Sequence, residues 1–552
     1  MRFTKAIQLL LAVGATALSA EASADATLRS PLVPGQSCLD PAAPGAGPEA
    51  TRPPPVLVDG LGYAGLEPDS ANPEARAWFA QGVRLVWAFD EAEAIRAFQE
   101  AQRRDPGCAL CVFGEAWARG PTINLQPRTE ELEAARAAAR RALALSQRLS
   151  PRDRLLVEGM ALRTRDGDGF SNEAYARFME GAAQRMPEDD MLAILAADAR
   201  MVISRSMRPG SLSQRLLERV LARNPDHGGA IHFYIHLTDW TDEQHLAEPY
   251  ADRLARIAPA ASHLVHMPSH TFYGVGRYRD AAATNVAAVA ADRAYVERVR
   301  PPRSDYRFYL NRHNMHFAIE SALARGDAQT ATEMSRQYRE VYLGENAEQG
   351  SRVLGSATWY TQGLHDEING VLAVPEQTAA IDRVLRHYAR GEALTRRGDG
   401  TAVAAEAAGI AALRNGAAAP ELGDSGAKLA EVLQHVLEGR AAMLENRYAA
   451  AETAYRRAMQ AQLRADFGFD PPLFWYSARR SLAAALLARG DARGARRQLE
   501  ASLRHWPNDP LALYALSQAE RALGNAGAAE ASLARARSIW AGNLADLPLA
   551  RL

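Results

Sequence analysis

The sequence predicts an all-α protein built from stacked antiparallel helix pairs, and three observations carry that expectation. From about residue 73 onward Ala, Leu, Arg and Glu dominate, and little alternates with period two, so strands should be rare. Turn residues recur at a fixed distance: Gly490 and Gly524 are 34 residues apart, as are Pro225 and Pro259. An alanine stands five residues after each turn residue, at Ala94, Ala281, Ala331, Ala451, Ala495 and Ala529. A small side chain there lets two helices approach closely.

In chain order, residues 1–24 read as an export signal. Arg2 and Lys5 are followed by an apolar run from about Ala6 to Leu18 and by small residues ending Ala22, Ser23, Ala24. The run is too short to span a bilayer as a mature helix, and nothing later is longer. The expectation is a periplasmic protein with no transmembrane span in its mature chain. Residues 25–72 are rich in Pro and Gly and form an irregular segment. Helical repeats are expected over 73–226, histidine-rich repeats over 227–345, a helical insertion or repeat region over 346–427, and further repeats over 428–552.

The stretch carrying Trp78, Gly82, Phe89, Ala94, Phe98, Ala101 and Pro106 resembles the tetratricopeptide repeat (TPR). The resemblance implies a TPR-type α-solenoid, a superhelix of helix pairs whose first helices line a concave surface. It implies no activity, because such solenoids serve many roles. The segments His-Met-Pro-Ser-His at 266–270, Ala-Ile-His-Phe-Tyr-Ile-His at 230–236 and His-Asn-Met-His-Phe at 313–317 are similar to those of a group of exported bacterial TPR proteins without an assigned reaction.

Composition removes several functions. With 64 Lys+Arg against 65 Asp+Glu the chain has no electrostatic footprint for nucleic acid. Lys5 and Lys428 are the two lysines, and the context of Lys428 lacks phosphate-loop spacing, which argues against Schiff-base and P-loop chemistry. Cys38, Cys108 and Cys111 are too few for a disulfide scaffold. Cys108 and Cys111 form either a structural pair, two buried thiols or a redox motif, and no histidine follows them to support haem attachment.

Nine of the 13 histidines fall between His227 and His316, where even spacing would put about two. They also hold register. Counting back from the turn residues Asp242, Gly276 and Gly326, the positions ten before are His232, His266 and His316, and those six before are His236, His270 and Glu320. His263 and His313 stand thirteen before the latter two turns. Three consecutive first helices thus carry an i, i+4 pair on one face, close enough for both members to reach one ion. If the three pairs meet, His232, His236, His266, His270, His316 and Glu320, with His263 and His313 one turn further along, suffice for two metal ions or for one ion and a catalytic shell. Pro268 falls inside this set and either kinks the first helix or starts it.

Imidazoles with one carboxylate suit zinc, copper or iron and disfavour calcium and magnesium. A zinc centre would support hydrolysis, with Glu320 as ligand or catalytic base; copper or iron would support oxygen or peroxide chemistry, with Tyr234 or Tyr273 as a nearby phenol. His-Glu-x-x-His is absent. Two other readings of the cluster stand beside metal binding. One is a groove for a peptide or small-molecule ligand, or a pH-sensitive contact; the other is a set of separately packed core histidines.

Overall fold

The computed structural model describes residues 53–552, except 128, 166, 205–206, 302–304, 345, 466–469 and 545–546. The expected export signal, most of the Pro/Gly-rich segment and Cys38 lie outside the described residues. Among those described there is no strand, and antiparallel helix pairs follow one another to the end of the chain. The fold is an all-α solenoid of antiparallel helix pairs. No described helix is long and apolar enough to cross a membrane.

The turns explain the regularity. Phe89, Asp242, Gly276, Gly326, Gly398, Asn446, Gly490 and Gly524 all have left-handed backbones, with φ between 55° and 82°. At each, two backbone bonds close the first helix: the turn residue donates to the carbonyl three before it, and the next residue to the carbonyl four before the turn. Gly490 to Leu487 and Asp491 to Leu486 are one example, both 2.9 Å. This is the Schellman closure, which favours glycine because a Cβ resists positive φ. After three of these turns the next residue also caps the second helix: Asp327, Asp399 and Asp491 accept from the amides of Thr330, Ala402 and Gly494. Three residues therefore reverse the chain. The alanines five after the turns, with Ala247 in the same place, are at most 2% exposed.

Close approach also explains Gly82. A Cβ there would lie 2.6 Å from the Phe98 ring, so glycine is what lets the Pro73–Trp87 and Glu91–Arg104 helices pack. Cys108 and Cys111 are disulfide-bonded at the start of the Ala109–Ala118 helix, whose first amides are also held by Asp69.

The chain divides into two compact units, Pro34–Ser321 and one built on Ala322–Leu552. In the first, residues 56–64 wrap over the helices: Gln81 bonds the backbone of Val56 and Val58, the Trp87 indole donates to Ala64, and Ala260 donates to Gly60. In the second, residues 549–552 pack against the first helices of three successive pairs, Ala380–Arg397, Gly423–Leu444 and Ala478–Ala488. Arg440 there donates to Glu392 at 2.8 Å, both side chains buried.

Candidate metal centre

All the histidines marked by register lie in the first unit, on three first-helix segments. The Gly228–Trp240 helix, buried through Asp239, carries His232 and His236. Ser262–His266 carries His263 and His266, and Pro268–Gly274 carries His270. Met267, between these two pieces, keeps helical dihedrals (φ −50°, ψ −39°). The two expectations for Pro268 thus combine: it opens a new helical segment, yet the path continues in helical sense and His266 and His270 still meet. The Asp305–Arg325 helix carries His313, His316 and Glu320.

The side chains gather as two triads. His232, His236 and His263 offer nitrogens within 4.8 Å of one another, and so do His266, His270 and His313. In the first, His232 Nε2 lies 3.1 Å from His236 Nε2 and 3.0 Å from His263 Nε2. In the second, His266 Nε2 lies 2.9 Å from His270 Nε2. Three imidazoles around one ion at ~2.1 Å would need nitrogen separations of roughly 3.3 Å, so the first set requires an opening of a few tenths of an ångström. The triads adjoin: ring centroids lie 5.8 Å apart for His263 and His266, and 6.0 Å for His236 and His270.

Outer partners fix the rings. His232 Nδ1 donates to the Trp87 carbonyl at 2.6 Å, which leaves the Nε2 lone pair facing the other two rings. His266 Nδ1 donates to Asn285 Oδ1 at 2.6 Å, and the Asn285 amide is oriented by its own donation to Ala281. Asp239 Oδ2 sits 3.9 Å from His270 Nδ1. Each triad is also faced by one phenylalanine. Phe89 lies 4.4, 5.4 and 6.2 Å from His232, His263 and His236, while Phe317 lies 5.2, 5.6 and 5.7 Å from His270, His266 and His313.

Burial sets the electrostatics. It pushes His232 down to about 3 and holds His263, His266 and His313 well below the ordinary imidazole range. The neighbouring imidazoles lower the latter three further. At neutral pH these four rings are therefore uncharged, and their lone pairs are not contested by protons.

The third pair takes a different place. His316 Nε2 and Glu320 Oε1 are 3.7 Å apart and fully buried, and they belong to neither triad. No hydrogen-bond partner is present for either side chain among the described residues. Burial lowers His316 to about 3 and raises Glu320 well above the usual carboxylate range. The three pairs thus do not share one centre, and His313 rather than His316 reaches the second triad. Tyr234 points elsewhere, donating to Glu218 at 3.0 Å, and Tyr273 packs on Phe317 at 5.5 Å. Residues that register counting missed are Trp87, Asn285, Phe89 and Phe317. Asn285 alone had a signal, as a polar residue four after Ala281 on an otherwise alanine-rich inner face.

No protein-family profile matches the chain, and no curated protein matches it. Among solved structures it is similar to human IFIT1 as a dimer with m7Gppp-AAAA (13% identity, 86% of this chain and 92% of that chain, TM-score 0.30). It is also similar to the TPR domain of P58(IPK) (14% identity, 82% and 98%, TM-score 0.23). These likenesses are distant and transfer nothing to the histidine site.

Proposed function

We propose that this chain is an exported TPR-like solenoid protein that binds transition-metal ions through the two histidine triads and uses them in metal-dependent chemistry, hydrolytic or oxidative. The observation that carries the reading is the convergence of six buried imidazoles, with Nε2 atoms 3.1 Å apart within the Gly228–Trp240 helix, 3.0 Å from it to His263, and 2.9 Å between His266 and His270. A protein that only needed to fill this space would gain more from apolar side chains, since every buried imidazole must be desolvated. Outer partners on His232 and His266 give the tautomer a ligand needs. Zinc, copper and iron are the candidates, and Glu320, unpartnered and close by in sequence, is the carboxyl group available for proton transfer. The export signal and the Cys108–Cys111 disulfide support a periplasmic location. The test is metal analysis of protein purified from periplasm, followed by chelation: bound metal and function should both be lost while helical circular dichroism persists. Absence of metal from the purified protein, together with failure to take up zinc, copper or iron, would sink the proposal.

A second reading has its own observation. The inner face of the C-terminal unit holds residues 549–552, with Ser481 donating to the Leu552 carbonyl at 2.8 Å and Arg440 to that of Ala550 at 2.7 Å. A surface that holds the short 3-10 turn Leu549–Arg551 and the residue after it by their backbone is suited to peptide partners. Peptide affinity that survives chelation unchanged would favour this scaffold function over the metal-dependent one.

A further inference from the structure

We infer that Arg307 is a positioning residue of the first triad: through Asp90 it holds the turn after the Pro73–Trp87 helix so that the Trp87 carbonyl keeps His232 in the tautomer a ligand needs. The consequence for metal affinity rests on the metal-binding reading above; the consequence for the His232 ring does not.

The turn at Phe89 departs from others in what its polar residue does. Asp327, Asp399 and Asp491 each cap the helix that follows them. Asp90 stands at the same place with a similar backbone (φ −95°, ψ 66°, against φ −85°, ψ 71° for Asp491), yet its carboxylate makes no capping bond to its own helix. It receives the Arg307 guanidinium instead, from 217 residues further along the chain. A local bond within the side chain's reach is given up for a distant one, and departures of that kind gather at functional sites.

Arg307 is itself fixed. Its Nη1 donates to Asp292 Oδ1 at 3.1 Å, the Asn311 amide donates to Asp292 Oδ2 at 3.1 Å, and the guanidinium lies 4.0 Å over the Tyr295 ring. Asp292 and Tyr295 belong to the Tyr278–Val299 helix, which also carries Asn285, whereas Arg307 and Asn311 belong to the Asp305–Arg325 helix, which carries His313. One guanidinium therefore ties the Phe89 turn to the two helices that serve the second triad. Its planar fork answers two carboxylates at once, which the single point charge of a lysine does less well.

What the turn delivers is a carbonyl. Its closure uses those of Leu85 and Val86, which accept from the Asp90 and Phe89 amides at 3.0 Å each. The next carbonyl along, that of Trp87, accepts from His232 Nδ1 at 2.6 Å. With the proton fixed on Nδ1, the Nε2 lone pair is presented to His236 Nε2 and His263 Nε2, 3.1 and 3.0 Å away. Released from Arg307, Asp90 caps its own helix as its counterparts do, the turn shifts, and His232 loses the acceptor that sets its tautomer.

The experiment labels the histidines of the full chain with the heavy nitrogen isotope and reads the ring nitrogens of the metal-free protein at neutral pH by long-range proton–nitrogen correlation, with His232→Gln identifying the His232 signals. Wild type is expected to carry that proton on Nδ1 alone, and Arg307→Met to show both tautomers. Arg307→Lys, which restores a cation without the fork, should lie between. A wild-type His232 protonated on Nε2 overturns the inference at once. Zinc is then titrated in competition with a chelating dye: wild type should hold two ions, and Arg307→Met should weaken one of them by about 10–100-fold while the other is unchanged. A role in stability alone would lower the urea midpoint of Arg307→Met but leave the tautomer and both affinities as in wild type, and that result overturns the inference. Equal weakening of both ions overturns it as well. Should Arg307→Met fail to fold, Asp90→Asn tests the same link, since asparagine can still cap its own helix; an unchanged His232 ring in that variant is again fatal. A chain that takes up no zinc, copper or iron defeats the metal-binding reading itself, while the His232 tautomer still decides the role of Arg307.

Discussion

The histidine-bearing repeats and the C-terminal repeats use the same register for opposite ends. Six residues before the turn stand His236, His270 and Glu320 in the first region, but Glu392 and Arg440 in the second. Register brings side chains of neighbouring first helices together in both. In the C-terminal unit the meeting is between opposite charges, Arg440 to Glu392 at 2.8 Å, and each group is answered by the other. In the histidine unit it is between imidazoles, with His232 Nε2 and His263 Nε2 3.0 Å apart. The comparison teaches that the scaffold supplies proximity, and that residue choice decides whether the inner positions hold an ion pair or a cluster of imidazoles.

The largest expected effect breaks the closed side. Arg440→Met leaves Glu392 buried without its cation and should cost about 3–5 kcal/mol, read as a lower urea midpoint, with bound metal unchanged. Converting both residues to Met should restore most of that loss. On the open side, His232→Ala and His266→Ala each remove a ligand with its anchor and should halve bound metal. Asn285→Ala, which frees only the outer nitrogen of His266, should weaken binding by about 10–100-fold in competition with a chelator.

Acid should separate the regions further. The unfolded histidines take up protons below about 6.5, whereas folded His232 resists until about 3. The unfolded state therefore binds more protons in that window, and stability falls as pH drops from about 6.5 toward 3. Denaturation followed at pH 7, 5.5 and 4.5 should show the histidine unit lost first, with metal occupancy falling over the same range. Glu320 works in the opposite direction. Its raised folded value gives stability present below about 4.3 and lost as pH rises. Glu320→Gln should accordingly raise the unfolding midpoint at pH 7, and it should retain metal; lost turnover with metal retained would mark it as a proton-transfer group. The smallest expected effect is that of His316→Gln on metal stoichiometry, namely none. A loss equal to that of His266→Ala would return His316 to the ligand set.

The sequence made the turns legible because each rests on local physics: a positive φ, a Schellman closure and a small residue five positions on. Gly490 with Ala495 and Gly326 with Ala331 needed no tertiary information. The i, i+4 histidine pairs were legible for the same reason, since His232/His236 and His266/His270 lie on one face of their own segments. What register could not give was depth. Counting back from the turn assumes that neighbouring first helices meet level, whereas each triad joins the positions ten and six before one turn to the position thirteen before the next, His263 in the first and His313 in the second. Trp87 and Phe89 could not be found by counting at all, because they reach the site from a repeat about 145 residues earlier in the chain.

Phe89 stands in a place where the other turns carry Gly, Asn or Asp. A bulky residue at φ 55° costs about 1 kcal/mol or more relative to glycine. Its ring is also the one that faces His232, His236 and His263. Phe89 is also 1% exposed, so truncation to glycine would relieve that strain yet forfeit about 3 kcal/mol or more of buried ring. The packing of its own side chain therefore holds this turn in a conformation that the other turns leave to small or polar residues, and the first triad sits against a residue that cannot easily be exchanged.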